Sequence, residues 1–89
     1  MKNGAKQRVE LGQYIVTDPE ICHGKPTFIG SRVMVWVVLK QVARGMSWDD
    51  IVADWDGSVS KESIAEALEI AHHTFRDHAT EYVHVSGTE

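Results

Sequence analysis

The residues best suited to chemistry are the five histidines and the single cysteine. His72 and His73 are adjacent, so on a helix their side chains point about 100° apart and do not easily share a metal ion. His73 and Asp77 are four residues apart and would lie on one helix face. A zinc site needs about four ligands, or three and a water, and Cys22 has no CxxC partner. We therefore expect no metal and no cofactor, and histidines that are mostly solvated.

Catalytic motifs are also missing from the sequence. Cys22 would need a neighbouring base to act as a nucleophile, and the chain has no GxSxG elbow. The run Gly24-Lys25-Pro26 lacks the GxxxxGK[ST] spacing of a phosphate-binding loop, so its glycine and proline are expected to shape the backbone. We expect that the protein is not an enzyme.

Charge is distributed unevenly along the 89 residues. Residues 1–46 carry seven Lys or Arg and three Asp or Glu, whereas residues 47–89 carry two and ten. Such asymmetry indicates either two surfaces with different partners or self-association of a basic half with an acidic half. Both interpretations remain open at this level.

Short strands are expected before the helices. Residues 14–16 read as a strand, and residues 27–29 and 32–33 read as a β-hairpin. Gly30-Ser31 fits the two-residue type II′ turn, in which glycine takes a positive φ at the first central position. Residues 1–13 are expected to form a flexible arm.

Three helices follow. The first begins near Val35, shows an apolar face at i, i+3, i+4, i+7 and i+8, and ends before Gly45. Ser47 and Ser60 each follow an apolar residue and precede an isoleucine by four positions, which predicts two serine-capped helices. The second covers about residues 48–55, and the third starts after Ser60.

These elements predict a mainly α fold with a short N-terminal β-hairpin and a trihelical, helix-turn-helix-like domain. We expect residues 14–85 to form that single domain and residues 86–89 to form a disordered tail. A plain three-helix bundle is the alternative. The lone cysteine, the lack of a signal-like apolar run and the lack of about 20 consecutive apolar residues favour a cytoplasmic protein without membrane contact.

DNA binding is the function that a helix-turn-helix suggests first, through the first turns of its second helix. Those turns contain one lysine and three glutamates among Ser60, Lys61, Glu62, Ser63, Ala65, Glu66 and Glu69. Affinity for DNA comes mainly from cations on phosphates, so this surface disfavours a monomeric DNA reader. Basic residues of the N-terminal half would have to supply the contacts, for instance in a dimer.

Protein binding is favoured instead by the first helix. Trp36 and Val37 flank its core face, so the helix is apolar nearly all round and calls for a second cover such as another subunit. Alternatively, Trp36 packs under the hairpin. Arg32 is expected either to pair with a carboxylate of the second or third helix or to contact a partner. The candidate contacts to a partner or to DNA are Lys25, Arg32, Trp36, Lys40, Arg44, Lys61, His72, His73 and Arg76.

Several separated motifs over about residues 14–71 resemble the small prokaryotic "domain of unknown function 433" family. They are Asp18-Pro19, Gly24-Lys25-Pro26, Gly30-Ser31-Arg32-Val33, Ala43-Arg44-Gly45-Met46-Ser47 and the segment from Ile51 to Trp55. Ser31 stands where the family usually has threonine.

The resemblance implies a helix-turn-helix fold and an antitoxin-like role, because family members often occur with a PIN-like ribonuclease toxin. It attaches no catalytic residues. The leading hypothesis is a homodimer that binds such a toxin, with the acidic, histidine-rich residues 72–89 entering the nuclease cleft. A DNA-binding transcription regulator and a small scaffold protein are the alternatives.

Overall fold

Three short antiparallel strands form a small sheet in the order β1-β2-β3. The computed structural model describes residues 7–77, and the strands are β1 (Val9–Glu10), β2 (Ile15–Thr17) and β3 (Thr27–Phe28). Ile15 lies opposite Phe28, and Val9 lies opposite Thr17. Strand β1 was not predicted, and it lies within the segment expected to be a flexible arm.

The turn after β3 differs from the prediction. The N–H of Ser31 donates to the carbonyl of Phe28 at 3.0 Å, so Ile29 and Gly30 are the two central residues. Gly30 has φ +82° at the second central position, which is typical of a type II turn and not of type II′. The predicted hairpin pairing is reduced to a bridge between Thr27 and Met34, with the Phe28 N–H donating to the Val33 carbonyl at 3.1 Å.

Three helices follow the sheet: α1 (Val35–Ala43), α2 (Trp48–Asp54) and α3 (Lys61–Asp77). Both predicted serine caps are confirmed. Ser47 Oγ accepts the Asp50 N–H at 3.1 Å. Ser60 Oγ accepts the N–H of Ser63, whose own hydroxyl accepts the N–H of Ser60. This reciprocal pair satisfies two donors at the start of α3.

The ends of α1 and α2 have the same geometry. At each end the chain turns into the left-handed region, at Gly45 with φ +87° and at Asp56 with φ +57°. At the first, Met46 N–H donates to the Gln41 carbonyl, and at the second, Gly57 N–H donates to the Val52 carbonyl. These six-to-one bonds are Schellman motifs, and they allow the tight turns that bring the three helices together.

The core lies between the sheet and the helices. Its fully buried side chains come from every element except β1: Ile15, Phe28, Val38, Ile51, Val59 and Ile64. Gln41 links α1 to α2, since its Oε1 accepts the Trp55 indole N–H and its Nε2 donates to Asp54, both at 2.8 Å. The face of α1 that carries Val38 and Gln41 is therefore committed to the interior.

The fold is three helices packed on a three-stranded sheet, with about half of the described residues in helices. The expectation of a mainly α protein is thus only loosely met. Residues 72–77 are exposed, so α3 continues past the core as expected. None of the helices between residues 7 and 77 is long and apolar enough to cross a membrane.

Candidate protein-binding surface

One ridge of α1 carries an exposed tryptophan beside two exposed cations. Trp36, Lys40 and Arg44 follow one another at intervals of four residues, and all three are exposed. Side chains at this spacing are neighbours on a helix surface. We call these three residues the α1 stripe.

Trp36 is the most unusual residue of the α1 stripe, because 57% of its surface is exposed. Its indole N–H donates to Met34 Sδ at 3.3 Å, which holds the ring beside the start of α1. The alternative that Trp36 packs under the hairpin is wrong. An amphipathic ring next to cations is the composition of a protein-binding hot spot.

The opposite face of α1 explains why the stripe points outward. Val35 and Val38 are buried in the core, and Gln41 is bonded to α2. Because successive helical residues are about 100° apart, burying these three side chains leaves the α1 stripe in solvent. The sequence identified all three stripe residues as candidate contacts.

The first turns of α3, which a helix-turn-helix would present to DNA, are largely bonded within the domain. Ser63 is 3% exposed and bonded to Ser60, so its hydroxyl is used within the fold. The Glu66 carboxylate accepts the N–H groups of Gln13 and Tyr14, each at 2.8 Å. Three of the seven side chains, Ser60, Ser63 and Glu66, are thus occupied by contacts inside the domain.

Glu66 fixes the β1–β2 turn onto α3, a role that sequence reasoning missed. A Cβ added at Gly12 would lie 2.6 Å from the Glu66 carboxylate, so only glycine lets the backbone approach this closely. The signal available was a glycine in a short link between strands. Without β1 in the prediction, nothing related Gly12 to a residue more than fifty positions away.

Lys61 is also occupied. Its Nζ lies 2.6 Å from Asp49 Oδ1 and joins the start of α3 to the start of α2. The hydrogen bond and the charge of Asp49 raise the pKa of Lys61 above its ordinary value. The only lysine at the start of α3 is therefore partly neutralised, and the exposed surface around it is acidic.

Among residues 7–77, the remaining candidate residues form no ion pair with α1 or α2. Lys25 and Arg32 are exposed. The expectation that Arg32 pairs with a helical carboxylate is wrong for residues 7–77, where it forms no ion pair. His72 and His73 stack edge to face at 5.3 Å. Arg76 contacts its neighbour Asp77.

A protein-family model described as "Protein of unknown function (DUF433)" matches residues 15–71. The chain belongs to this family. The resemblance drawn from the sequence motifs is thereby confirmed. No curated protein and no solved structure matches the chain.

The DUF433 match covers the α1 stripe, both serine caps and Glu66, but it begins after β1 and ends before His72. The family region thus contains every element of the core. Strand β1 and residues 72–77 of α3 lie outside the matched region.

The DUF433 motif around Gly24 forms a tight loop. Cys22, His23 and Gly24 take successive positive φ values of 50°, 58° and 82°. Cys22 Sγ lies 3.5 Å from the Arg32 carbonyl, which joins this loop to the turn after β3. In the part of the chain that is described, no three His, Cys, Asp or Glu side chains group as metal ligands.

An open cleft of about 210 Å³ lies between the turn after β3 and the α2–α3 connection. Ile29, Tyr14 and the hydroxyls of Ser60 and Ser63 contribute to its wall. Both hydroxyls already take part in the helix cap. The α1 stripe therefore offers more uncommitted binding groups than this cleft does.

Proposed function

We propose that this protein is an antitoxin-like binding protein that works as a homodimer, is not an enzyme, and binds a PIN-like ribonuclease through the α1 stripe. The observation that carries the proposal is the exposure of Trp36 in line with Lys40 and Arg44. A large ring left 57% exposed beside cations gains most from burial against another protein. The ribonuclease comes from the family resemblance and not from the geometry.

The proposal favours a protein partner over DNA because of the charges on α2 and α3. Asp49 and Asp50 lie in the first turn of α2, and Glu62 lies in the first turn of α3. Lys61, the cation among them, is bound to Asp49. A phosphate backbone approaching this side would meet mainly carboxylates, which opposes the dominant attractive term in DNA binding.

The decisive experiment looks for a PIN-like ribonuclease gene beside the gene of this protein, and measures binding of its product by calorimetry and its RNA cleavage with Mg²⁺. Wild-type protein should bind and inhibit the nuclease. Trp36→Ala should weaken binding by at least about 30-fold, the size of a hot-spot residue. Lys40→Glu with Arg44→Glu should also weaken it.

Lys61→Ala is the matched control. It removes an exposed cation outside the α1 stripe, so binding should change by less than about threefold. Equal losses for Trp36→Ala and Lys61→Ala would contradict the stripe. An unbound nuclease, or no such neighbouring gene, would reject the toxin and favour the small scaffold protein.

The proposed role of residues 72–89 extends beyond the described residues, since only residues 72–77 belong to the part of α3 described above. A chain truncated after Ala71 should still bind through the α1 stripe but inhibit RNA cleavage less, if acidic residues enter the nuclease cleft. Full inhibition by the truncated chain would remove this part of the proposal.

A DNA-binding transcription regulator is the second candidate, and the sequential packing of three helices with a short α2–α3 connection supports it. It is tested by fluorescence anisotropy on DNA from the chain's own promoter across salt concentrations. A steep fall in affinity with salt would support DNA binding. Undetectable binding near physiological salt would reject it.

A further inference from the structure

We propose that two copies of this chain join their β1 strands edge to edge, in an antiparallel pairing that places Val9 opposite Val9 of the second copy and makes one six-stranded sheet. This inference specifies the interface of the proposed homodimer and does not depend on the nuclease. It starts from β1, which lies at the edge of the sheet and has no strand on its outer side among residues 7–77.

The backbone of β1 presents hydrogen-bonding groups outward. Leu11 N–H donates to the Ile15 carbonyl at 2.8 Å, so Leu11 and, two residues earlier, Val9 bond inward to β2. Because these directions alternate along an antiparallel strand, the N–H and C=O of Arg8 and Glu10 face away from the sheet. An unpaired edge of this kind is a template for another strand.

The alternation of inward-facing and outward-facing residues along β1 restricts the possible registers of pairing. A new antiparallel strand must place its own outward-facing residues opposite Arg8 and Glu10. If Arg8 lies opposite Glu10 of the second copy, two-fold symmetry puts Glu10 opposite the second copy's Arg8, with Val9 facing Val9 between them. This register forms two pairs of backbone hydrogen bonds.

The charges of Arg8 and Glu10 favour this register over the one that pairs Glu10 with Glu10. Pairing Glu10 with Glu10 would place like charges directly opposite, which destabilises a sheet. Pairing Arg8 with Glu10 gives two opposite-charge pairs. Both side chains are accessible for this exchange, at 46% and 59% exposed, and they already attract each other within one chain at 3.0 Å. Charged side chains usually protect an edge strand from pairing, but here the charges of one copy complement those of the second.

The apolar side chains support the same arrangement. Val9 and Leu11 are 49% and 42% exposed, and alternation along β1 puts both on the sheet face that carries Ile15. That residue belongs to the hydrophobic core. In the paired sheet, Val9 from each copy would extend the core face across the two-fold axis and lose its exposure.

Charge reversal in trans tests the register by sedimentation velocity. In a homodimer of the Arg8→Glu variant, each new glutamate lies opposite Glu10 of the other copy. In a homodimer of the Glu10→Arg variant, each new arginine lies opposite Arg8 of the other copy. Each should dimerise at least about tenfold more weakly than wild type. An equimolar mixture of the two variants restores both opposite-charge pairs and should form heterodimers of nearly wild-type affinity. Circular dichroism verifies that each variant is folded.

Rescue by mixing cannot arise from the Arg8–Glu10 contact within a chain, since each variant retains its own defect. A monomeric wild type, single variants that dimerise normally, or a mixture no better than its components would each overturn the proposal. Trp36→Ala should still dimerise and Arg8→Glu should still bind the nuclease, so failure of this interface is separable from failure of the proposed function.

Disulfide trapping provides a second measurement. With Cys22→Ser, a cysteine introduced by Val9→Cys would face its copy across a non-hydrogen-bonded pair, where Cα atoms are about 4.5 Å apart and a disulfide fits. Mild oxidation should yield covalent dimer. Gln7→Cys is the control: its two copies would be offset by four residues, about 13 Å, and should not crosslink. Equal crosslinking of both variants would contradict the register.

Discussion

The α1 stripe and the first turns of α3 are both exposed helical surfaces, but they differ in what their side chains already do. The side chains of Trp36, Lys40 and Arg44 form no hydrogen bond or ion pair with another element among residues 7–77. In contrast, Ser63 and Glu66 hold the helix cap and the β1–β2 turn. Internal bonds therefore decide which helical surface of this fold is available to a partner.

The comparison has a consequence for reading helix-turn-helix sequences. In a helix-turn-helix the start of α3 would face DNA, although its acidic composition already disfavoured that role. Its polar residues are instead divided between the helix cap, the β1–β2 turn and the ion pair with Asp49. The polar residues of a predicted recognition helix therefore indicate a function only when they are not already bonded within the domain.

Among the residues of the two surfaces, replacing Glu66 gives the largest expected effect on stability. Glu66→Ala should lower the free energy of unfolding by about 2–3 kcal/mol, because two backbone N–H groups lose a charged acceptor. Urea unfolding measures this. Glu69→Ala, a more exposed glutamate one turn later on α3, is the control and should cost less than about 0.5 kcal/mol. Equal costs would show that α3 uses both carboxylates alike.

The energetic coupling between Gly12 and Glu66 tests the same contact in a second way. Gly12→Ala should cost about 1–2 kcal/mol in the wild type, since the new Cβ displaces the Glu66 carboxylate from its two hydrogen bonds. In the Glu66→Ala background there is no carboxylate to displace, so the cost should fall substantially. The double-mutant cycle measures this non-additivity. Additive costs would place the strain of Gly12→Ala elsewhere in the turn.

The cap of α3 comes next in magnitude. Ser60→Ala should lower stability by about 1 kcal/mol, since the N–H of Ser63 loses its acceptor. Ser58→Ala, at an exposed serine of the same connection, is the control and should be nearly neutral. A neutral Ser60→Ala would mean that the first turn of α3 does not depend on its capping hydroxyl.

Trp36→Ala tests the other side of the comparison. The ring is largely exposed, so its removal should cost less than about 1 kcal/mol of stability while weakening partner binding by at least about 30-fold. Trp55→Ala is the control, because that indole packs against the core and donates to Gln41; it should cost about 3 kcal/mol. A large loss of stability for Trp36→Ala would assign it to the fold rather than to binding.

The sequence predicted the features that arise locally. The two serine caps and the glycine end of α1 follow from spacing within a few residues, and the structure contains them. The sequence also identified Trp36, Lys40 and Arg44 as candidate contacts, but it left open whether Trp36 packs under the hairpin. Strand β1 was missed because two residues carry no periodicity. Glu66 was misassigned because its partners lie in a distant turn, and the turn type at Gly30 depended on which residues β3 used for pairing.

The smallest expected effect is the pH dependence of the Lys61–Asp49 pair. Because the folded-state pKa of Lys61 is raised, its contribution to stability is present below the unfolded lysine pKa of about 10.4 and is lost as pH rises through the folded value. The difference in unfolding free energy between wild type and Lys61→Met should therefore shrink over that range. Lys40→Met, on the α1 stripe, is the control and should show a level difference. A level difference for Lys61→Met as well would mean that this cation is as uncommitted as those of the α1 stripe, and the contrast between the two surfaces would rest on Ser63 and Glu66 alone.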